Sequence, residues 1–194
     1  MKAIEMLFKR NKQADHVCPW QHVHMIDNFV RKWIHDPQKL FSPYVKKGMR
    51  VIDIGCGGGF ISLGLAGLVG DGGSVVSADL QPEMLAIVNE RAIKEKKSRI
   101  IHTHQCGKNN VGANGPFDFA VAFFMVHETP DKGAFMSEVF DMLASKGVFY
   151  IAEPSFHVKR VMFENMVDKA KSVGFRVAAR PRVNLALAVL LEKP

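Results

Sequence analysis

The most informative segment of the sequence is Val51-Ile52-Asp53-Ile54-Gly55-Cys56-Gly57-Gly58-Gly59-Phe60. Its first four residues are rich in β-branched side chains, which predicts a short buried strand. The glycines follow at once, and the apolar run over residues 60–69 is long enough for a helix. Glycine lets a backbone approach a ligand closely, and a helix N-terminus offers free N–H groups and partial positive charge. The stretch therefore predicts a nucleotide-type site between a strand and a helix.

The spacing of the glycines excludes two common phosphate-binding motifs. A phosphate loop needs Gly-Lys-Ser/Thr after the glycines, and this chain has Phe60 there. The dinucleotide fingerprint needs a third glycine at that same position. What remains is the pattern Gly55-x-Gly57-x-Gly59 preceded by Asp53. A carboxylate at the end of the strand suits a ligand that carries a positive charge, such as an ammonium group.

A second acidic residue ends the next predicted strand. Residues 74–78 have the composition of a strand, and Asp79 follows them directly. An acidic residue about 20 positions after the glycine loop is placed to accept both ribose hydroxyls of a nucleoside. Leu80 comes next and is suited to pack on an adenine face, and Pro82 occupies a first-turn position of the following helix.

Together these features resemble the class I S-adenosylmethionine-dependent methyltransferases, from about Lys46 to the C-terminus. The resemblance implies S-adenosylmethionine as the cofactor, held at its methionine and ribose ends by the two motifs. In that family the loop after the third strand usually supplies a carboxylate to the adenine amine, and this chain has Gln105-Cys106 instead. The cofactor-binding residues that the resemblance implies are Asp53, Gly55, Cys56, Gly57, Gly59, Asp79, Leu80, Gln105, Cys106 and Phe123.

Alternating strands and helices predict a parallel sheet with helices on both faces. The loop around Pro181 is too short for a crossover helix, so the last two strands are predicted to be antiparallel. The resemblance implies an α/β, Rossmann-like, doubly wound sheet of seven strands in the order 3-2-1-4-5-7-6, mixed because the last strand is antiparallel. The predicted strands are residues 51–54, 74–78, 99–103, 117–123, 147–152, 175–179 and 185–191, and the main helices are 60–69, 82–95, 131–144 and 158–173.

The chain is interpreted as one methyltransferase domain over residues 1–194. Residues 48–194 form its predicted cofactor-binding core, and residues 1–47 a helical cap. Within the cap, residues 21–35 show helical periodicity, with His22 on the apolar face and His24 and His35 on the polar face. A short helix is predicted to follow Asp36 as its N-cap.

The histidines and the cysteine of residues 16–24 invite a metal interpretation. His16, Cys18, His22 and His24 are all ligand-type residues. However, His22 and His24 are two positions apart, so they point to different faces of a helix, and no second pair exists elsewhere. No metal is therefore predicted, and the segment is interpreted as a lid that turns Trp20 and His22 toward the site.

The loop after the fourth strand faces the transferred methyl group in the family. It has neither the Asn/Asp-Pro-Pro-aromatic motif nor the Pro-Cys nucleophile of nucleobase methyltransferases, which favours a small-molecule acceptor. His127 is a candidate general base there. The alternative, left open, is that His127 and Glu128 only cap the next helix and satisfy each other. The residues predicted to converge at the acceptor are Trp20, His22, His127, Glu128, Glu153 and His157, with His22, His127 and Glu128 as the catalytic candidates.

The charge and the composition of the chain indicate which classes of partner are expected. The net charge is +7 at a pI of about 9.4, but the cations are dispersed, which disfavours a nucleic-acid partner. No apolar run approaches the roughly 18–20 residues of a membrane span, so no membrane partner is predicted. Three scattered cysteines and an N-terminus interrupted by charge indicate the cytoplasm. The prediction is an enzyme, monomeric or homodimeric. An RNA or protein methyltransferase and a non-catalytic cofactor binder are the alternatives.

Overall fold

The computed structural model describes Trp20 and residues 34–194. The strands are β1 (Arg50–Ile54), β2 (Ser74–Asp79), β3 (Ile101–Gln105), β4 (Phe117–Phe123), β5 (Leu143–Pro154), β6 (Arg176–Ala179) and β7 (Ala186–Glu192). The helices are α1 (Pro37–Phe41), α2 (Phe60–Val69), α3 (Pro82–Lys94), α4 (Lys132–Met142) and α5 (Arg160–Val173), and a 3₁₀ turn spans Val126–Glu128.

The seven strands form one sheet in the order β3-β2-β1-β4-β5-β7-β6. The first five strands pair in parallel, whereas β7 lies antiparallel between β5 and β6. The topology predicted from the sequence is therefore confirmed, including the direction of β7. Residues 188–191 of β7 are buried, as expected for a strand inserted between two others.

Helices cover both faces of the sheet. Neighbouring residues of a strand point to opposite faces, so each strand contributes side chains to both cores. Val51 and Val121 belong to the core beneath α1, α2 and α3, whereas Ile52 and Ala120 belong to the core beneath α4 and α5. Both faces are apolar along the central strands, so the domain has two hydrophobic cores, one on each face of the sheet, as a doubly wound fold does.

The helix α1 is part of the packed layer on the sheet. Asp36 caps it, as predicted, by accepting hydrogen bonds from the backbone N–H groups of residues 38 and 39. Phe41 is fully buried, with its ring edge-on to Phe119 at 5.8 Å and to Tyr150 at 5.1 Å between centroids. Apart from Trp20, the predicted cap before residue 34 lies outside the described residues.

His35 corrects one prediction. It was expected on the polar face of a helix, yet it is only 5% exposed. Its Nε2 lies 2.7 Å from the carbonyl oxygen of Asn184, and its ring meets Phe123 and Phe124 edge-on. The periodic pattern was extended too far, because the N-cap Asp36 starts a new helix immediately after His35.

Two strands differ from their predicted limits by two or more residues. β3 runs two residues later than expected, because Val75 of β2 pairs with Ile101 and Asp79 pairs with Gln105. Gln105 is therefore the last residue of a strand. β5 is longer than expected at both ends, since β4 pairs back to Leu143 and β7 pairs forward to Pro154.

Candidate active site

The glycine loop is tied to the end of β2 by backbone hydrogen bonds. The N–H groups of Gly55 and Cys56 both donate to the carbonyl of Ala78, at 2.8 and 3.0 Å. The N–H of Gly57 donates to Oδ2 of Asp79 at 2.9 Å. The loop and the acidic end of the neighbouring strand therefore form one unit at the carboxyl edge of the sheet, where open α/β sheets bind their ligands.

All three motif glycines have positive φ, but a side chain at each position would meet different surroundings. A Cβ on Gly55 would lie 2.7 Å from Cγ of Met125, and a Cβ on Gly59 would lie 3.0 Å from Cγ2 of Val88. A Cβ on Gly57 would meet nothing within 4 Å. Gly55 and Gly59 are required by the packing of the protein, whereas Gly57 borders open space. That opening over the loop fits a ligand that lies against the backbone.

Asp79 supplies the polar edge of this opening. It is 7% exposed, and its two oxygens accept from the N–H groups of Gly57 and Gln81, each at 2.9 Å. A carboxylate has about four acceptor positions, so it can accept from further donors such as two ribose hydroxyls. Burial raises the pKa of Asp79, while the N–H donors of Gln81, Gly57 and Leu80 lower it. Half-buried Leu80 continues this edge of the opening.

Asp53 lies beneath the loop and is 1% exposed. Ser62 Oγ, in the first turn of α2, donates to its Oδ2 at 2.6 Å, and Ser77 Oγ donates to Ser62 Oγ at 2.7 Å. This chain of buried hydrogen bonds joins β1, α2 and β2 under the glycines. Contact between Asp53 and a ligand stays a prediction. Ser62 and Ser77 were not predicted, because single serines in apolar runs carry no distinctive pattern.

Two thiols flank Asp79. The backbone N–H of Cys106 donates to the carbonyl of Asp79 at 2.9 Å, and Cys56 follows Gly55 in the loop. Burial, then Asp79 and Glu138, raise the pKa of the Cys106 thiol to about 12. Burial, then Asp53 and Asp79, raise the pKa of the Cys56 thiol well above its usual value. A raised pKa disfavours the thiolate, so neither thiol is a ready nucleophile.

The acceptor side of the site is built on Glu153, which is fully buried near the end of β5. Its Oε1 accepts from the backbone N–H of Val126 at 2.8 Å, and its Oε2 accepts from Nδ1 of His127 in a short hydrogen bond. With Nδ1 as the donor, the lone pair of a neutral His127 lies on Nε2. A carboxylate that fixes the tautomer and orientation of a histidine is the arrangement that general bases use.

The loop that carries His127 has two further histidines close by. The rings of His127 and His157 are 4.9 Å apart, and partial burial together with His127 lowers the pKa of His157 while Glu153 raises it.

Phe124 takes a positive φ of 67°, which is costly for a bulky residue, and its ring meets the edge of His35. Bulky residues in this conformation concentrate at functional sites. Half-buried Phe124 and buried His35 are neighbours of the loop that the sequence did not indicate.

The structure brings four of the six predicted acceptor-side residues into one cluster. They are His127, Glu128, Glu153 and His157, with Nε2 of His127 lying 3.9 Å from Glu128 Oε1. The partner of His127 Nδ1 is therefore Glu153, and Glu128 lies near Nε2 of the same ring. A catalytic role for these side chains stays a prediction. Trp20 lies beside α3, since its backbone N–H donates to Oε1 of Gln81 at 3.1 Å. His22 lies outside the described residues.

Buried Phe123, at the end of β4, packs on Phe124 with 4.5 Å between ring centroids. Exposed Gln105 ends β3 beside Asp79. For these two residues, as for the loop residues above, contact with a cofactor stays a prediction. Within the described part of the chain, no group of three His, Cys, Asp or Glu side chains could hold a metal ion. The histidines and the cysteine of residues 16–24 fall outside that part.

The fold and the glycine loop define a class of protein. The fold is that of the class I S-adenosylmethionine-dependent methyltransferases. A solved structure described as a SAM-dependent methyltransferase from Aquifex aeolicus superimposes with a TM-score of 0.81 at 21% identity, covering 91% of this chain and 99% of that one.

Sequence comparison then gives the family. A family model described as a methyltransferase domain matches residues 45–184, and the chain belongs to that family. It is 29% identical over 133 residues to a ubiquinone biosynthesis O-methyltransferase of Azorhizobium caulinodans, covering 69% of this chain and 50% of that protein. It is also 29% identical over 128 residues to an arsenite methyltransferase of Aquipseudomonas alcaligenes, covering 59% of this chain and 35% of that protein. The chain thus spans half or less of the length of these two curated relatives.

Proposed function

We propose that the protein is an S-adenosylmethionine-dependent methyltransferase that acts on a small-molecule acceptor. The observation that carries the proposal is the pairing of two sites on one edge of the sheet. The opening over Gly57 and Asp79 fits a nucleoside cofactor, and the His127–Glu153 pair stands after the next two strands of the sheet, β4 and β5. Membership of the methyltransferase family supports the same conclusion.

In this proposal the backbone of Gly57 and the carboxylate of Asp79 hold the cofactor, whose sulfonium group supplies an electrophilic methyl. The acceptor would lie against His127, and Nε2 of His127 would remove its proton. Glu153 acts as the positioning residue, because it keeps Nδ1 of His127 protonated and stabilises the imidazolium that forms. Holding the acceptor in line with the methyl group supplies much of the acceleration, since orientation converts a bimolecular step into an intramolecular one.

The acceptor atom proposed here is a hydroxyl oxygen. A histidine base suits a hydroxyl of moderate acidity, and the relative from Azorhizobium caulinodans is named as an O-methyltransferase. Transfer to arsenite is disfavoured, because Cys56 and Cys106 both lie beside Asp79, on the proposed cofactor side of the edge, and not beside His127.

The test is a screen of acceptor pools with isotope-labelled S-adenosylmethionine, followed by mass spectrometry of the labelled product. Pools of small molecules, RNA and protein separate the proposed function from its alternatives. Label in RNA or protein alone would contradict a small-molecule acceptor. Cofactor binding with no label in any pool would favour a non-catalytic binder.

Once an acceptor is identified, His127→Ala should lower turnover by roughly 10²–10⁴-fold, the usual contribution of general acid–base catalysis. Affinity for the cofactor should change little. Glu153→Gln should lower kcat more than it raises KM and should shift the pH profile, whereas a purely structural role would leave that profile in place. The control is His102→Ala, an exposed histidine of β3. Unchanged kcat in His127→Ala would refute the assignment.

The segment before residue 34 is proposed to complete the domain as a helical cap that brings His22 to the acceptor side. Its expected apolar face and the docking of neighbouring His35 on Asn184 support this. Cysteine usage supports a cytoplasmic location. If His22 contributes to the acceptor site, His22→Ala should lower turnover while His24→Ala does not, and equal effects of the two would contradict the cap.

A further inference from the structure

Exposed apolar side chains gather at the acceptor side of the site. Seven large hydrophobic side chains are exposed in the described residues, and four of them lie on two adjacent segments. We call these four the mouth patch, and they are Phe156, Val161, Met162 and Leu185.

The two segments are joined by backbone contacts. The N–H of Ser155 donates to the carbonyl of Leu185 at 3.0 Å, which sets Leu185 beside Phe156. Val161 and Met162 lie in the first turn of α5, where the N–H of Met162 donates to the carbonyl of Lys159. The mouth patch is therefore made by two turns and the start of a helix.

The mouth patch borders the candidate active site. Phe156 precedes His157, whose ring lies 4.9 Å from that of His127. On the other side, Leu185 follows Asn184, whose carbonyl binds His35 next to Phe124. Whatever covers the mouth patch consequently lies against the entrance on the side of His127.

The charges around the mouth patch are mostly positive. Residues 155–165 and 180–185 contain four cationic side chains and one carboxylate. The carboxylate, Glu164, is bound at both oxygens by Arg180, at 3.0 and 2.7 Å. The exposed cations Lys159, Arg160 and Arg182 therefore leave the rim with a net positive charge. A surface that combines apolar side chains with cations binds anionic lipid interfaces, through buried apolar area and electrostatic attraction together.

We propose that the mouth patch binds the surface of anionic lipid membranes. The mixture of exposed apolar and cationic side chains favours such a surface over a second copy of this chain, because two copies of a +7 protein meeting at a cationic rim repel each other. The sequence-based prediction of no membrane partner concerned spanning segments, and in the described residues no helix is long and apolar enough to cross a membrane. The inference goes beyond the proposed function and does not depend on it. Bound in this way, the protein presents the His127 side of its site to the lipid.

The test is sedimentation of the full chain with vesicles at low salt. Vesicles of phosphatidylcholine with one-third phosphatidylglycerol should carry the protein down, and vesicles of phosphatidylcholine alone should not. Because a cation near an anionic bilayer contributes about fivefold in affinity, Lys159→Gln with Arg160→Gln should weaken binding roughly 25-fold. The charge-matched control is Lys47→Gln with Lys108→Gln, two exposed lysines outside the mouth patch.

The contribution of the apolar side chains is tested with the double variant Val161→Ser, Met162→Ser. The control is Ile93→Ser, which alters an exposed residue of α3. Only the pair in the mouth patch should weaken sedimentation. Failure of the wild-type chain to bind the anionic vesicles would overturn the proposal, as would equal loss in the control variants. Binding of S-adenosylhomocysteine is measured separately without vesicles, so that failure of the proposed function is distinguished from failure of this inference.

Discussion

Gly57 and Gly59 are separated by one residue, yet a methyl group added to each meets different surroundings. At Gly59 it would press on Val88 of α3, while at Gly57 it would point into open space. The carbonyl of Gly58 between them is held by Nη1 of Arg91 at 2.7 Å, which fixes the loop against α3. The loop is thus rigid on its protein side and open on its ligand side.

Gly57→Ala should therefore affect mainly cofactor affinity, whereas Gly59→Ala should affect mainly the free energy of unfolding. Gly57→Ala should weaken binding of S-adenosylhomocysteine while costing only the strain of a positive φ, about 1–2 kcal/mol. Gly59→Ala carries the same strain and also a clash with Val88, so it should lose more stability. Calorimetric titration and urea unfolding of both variants give the comparison. Wild-type affinity in Gly57→Ala would mean that no ligand is seated on this turn.

Asp79→Ala should lower cofactor affinity roughly ten- to a hundredfold, because hydrogen bonds to a charged group contribute about 1.5–3 kcal/mol. It also releases the N–H groups of Gly57 and Gln81. Titration of S-adenosylhomocysteine measures the loss, and Asp71→Ala, at an exposed aspartate, is the control. Unchanged affinity in folded Asp79→Ala protein would remove Asp79 from the site.

The raised pKa of Asp79 has two consequences for pH. The native state holds this proton more tightly than the unfolded chain, so the contribution of Asp79 to stability is present at low pH and is lost as pH rises through its native pKa. Cofactor affinity changes in the opposite sense, because protonation removes an acceptor. Affinity should decline on acidification at a higher pH than an ordinary aspartate requires, and titrations over acidic pH should show that decline in the wild type.

Among the elements, α1 packs on the body of the domain through two buried residues, Pro37 and Phe41. Phe41→Ala should cost roughly 3–5 kcal/mol of unfolding free energy, since it empties a fully buried site between Phe119 and Tyr150. Urea unfolding measures it. Phe156→Ala, at an exposed phenylalanine, should stay within about 0.5 kcal/mol. A small loss in Phe41→Ala would mean that α1 is only loosely attached.

The elements whose patterns are strong were predicted closely. The helix over residues 60–69 has the predicted limits, because its apolar run is bounded by Gly59 and Gly70. The limits of β4 also match the prediction. The limits of β3 and β5 were predicted less well, since pairing with neighbouring strands decides where a strand ends. Sequence spacing does not contain that information.

The candidate site shows the same division. The convergence of His127, Glu153 and His157 followed from topology, because neighbouring parallel strands end at one edge of the sheet. The partner of His127 did not follow, since Glu128 is adjacent in sequence whereas Glu153 comes from the next strand. His35 was assigned to the wrong environment, because a periodic pattern does not show where one helix ends and an N-cap begins.

For the molecule as a whole, the order of the strands brings the candidate site together at the carboxyl edge of the sheet. β1 and β2 contribute the glycine loop and Asp79, while β4 and β5 contribute His127 and Glu153. We expect this edge to bind S-adenosylmethionine and to direct its methyl group toward His127.

The most direct measurement is a calorimetric titration of the wild-type chain with S-adenosylhomocysteine, with adenosine and oxidised nicotinamide dinucleotide as comparisons. We expect saturable binding of one S-adenosylhomocysteine per chain, competition by S-adenosylmethionine, and no comparable binding of the dinucleotide. Folded protein that binds the dinucleotide but neither S-adenosyl compound would contradict it.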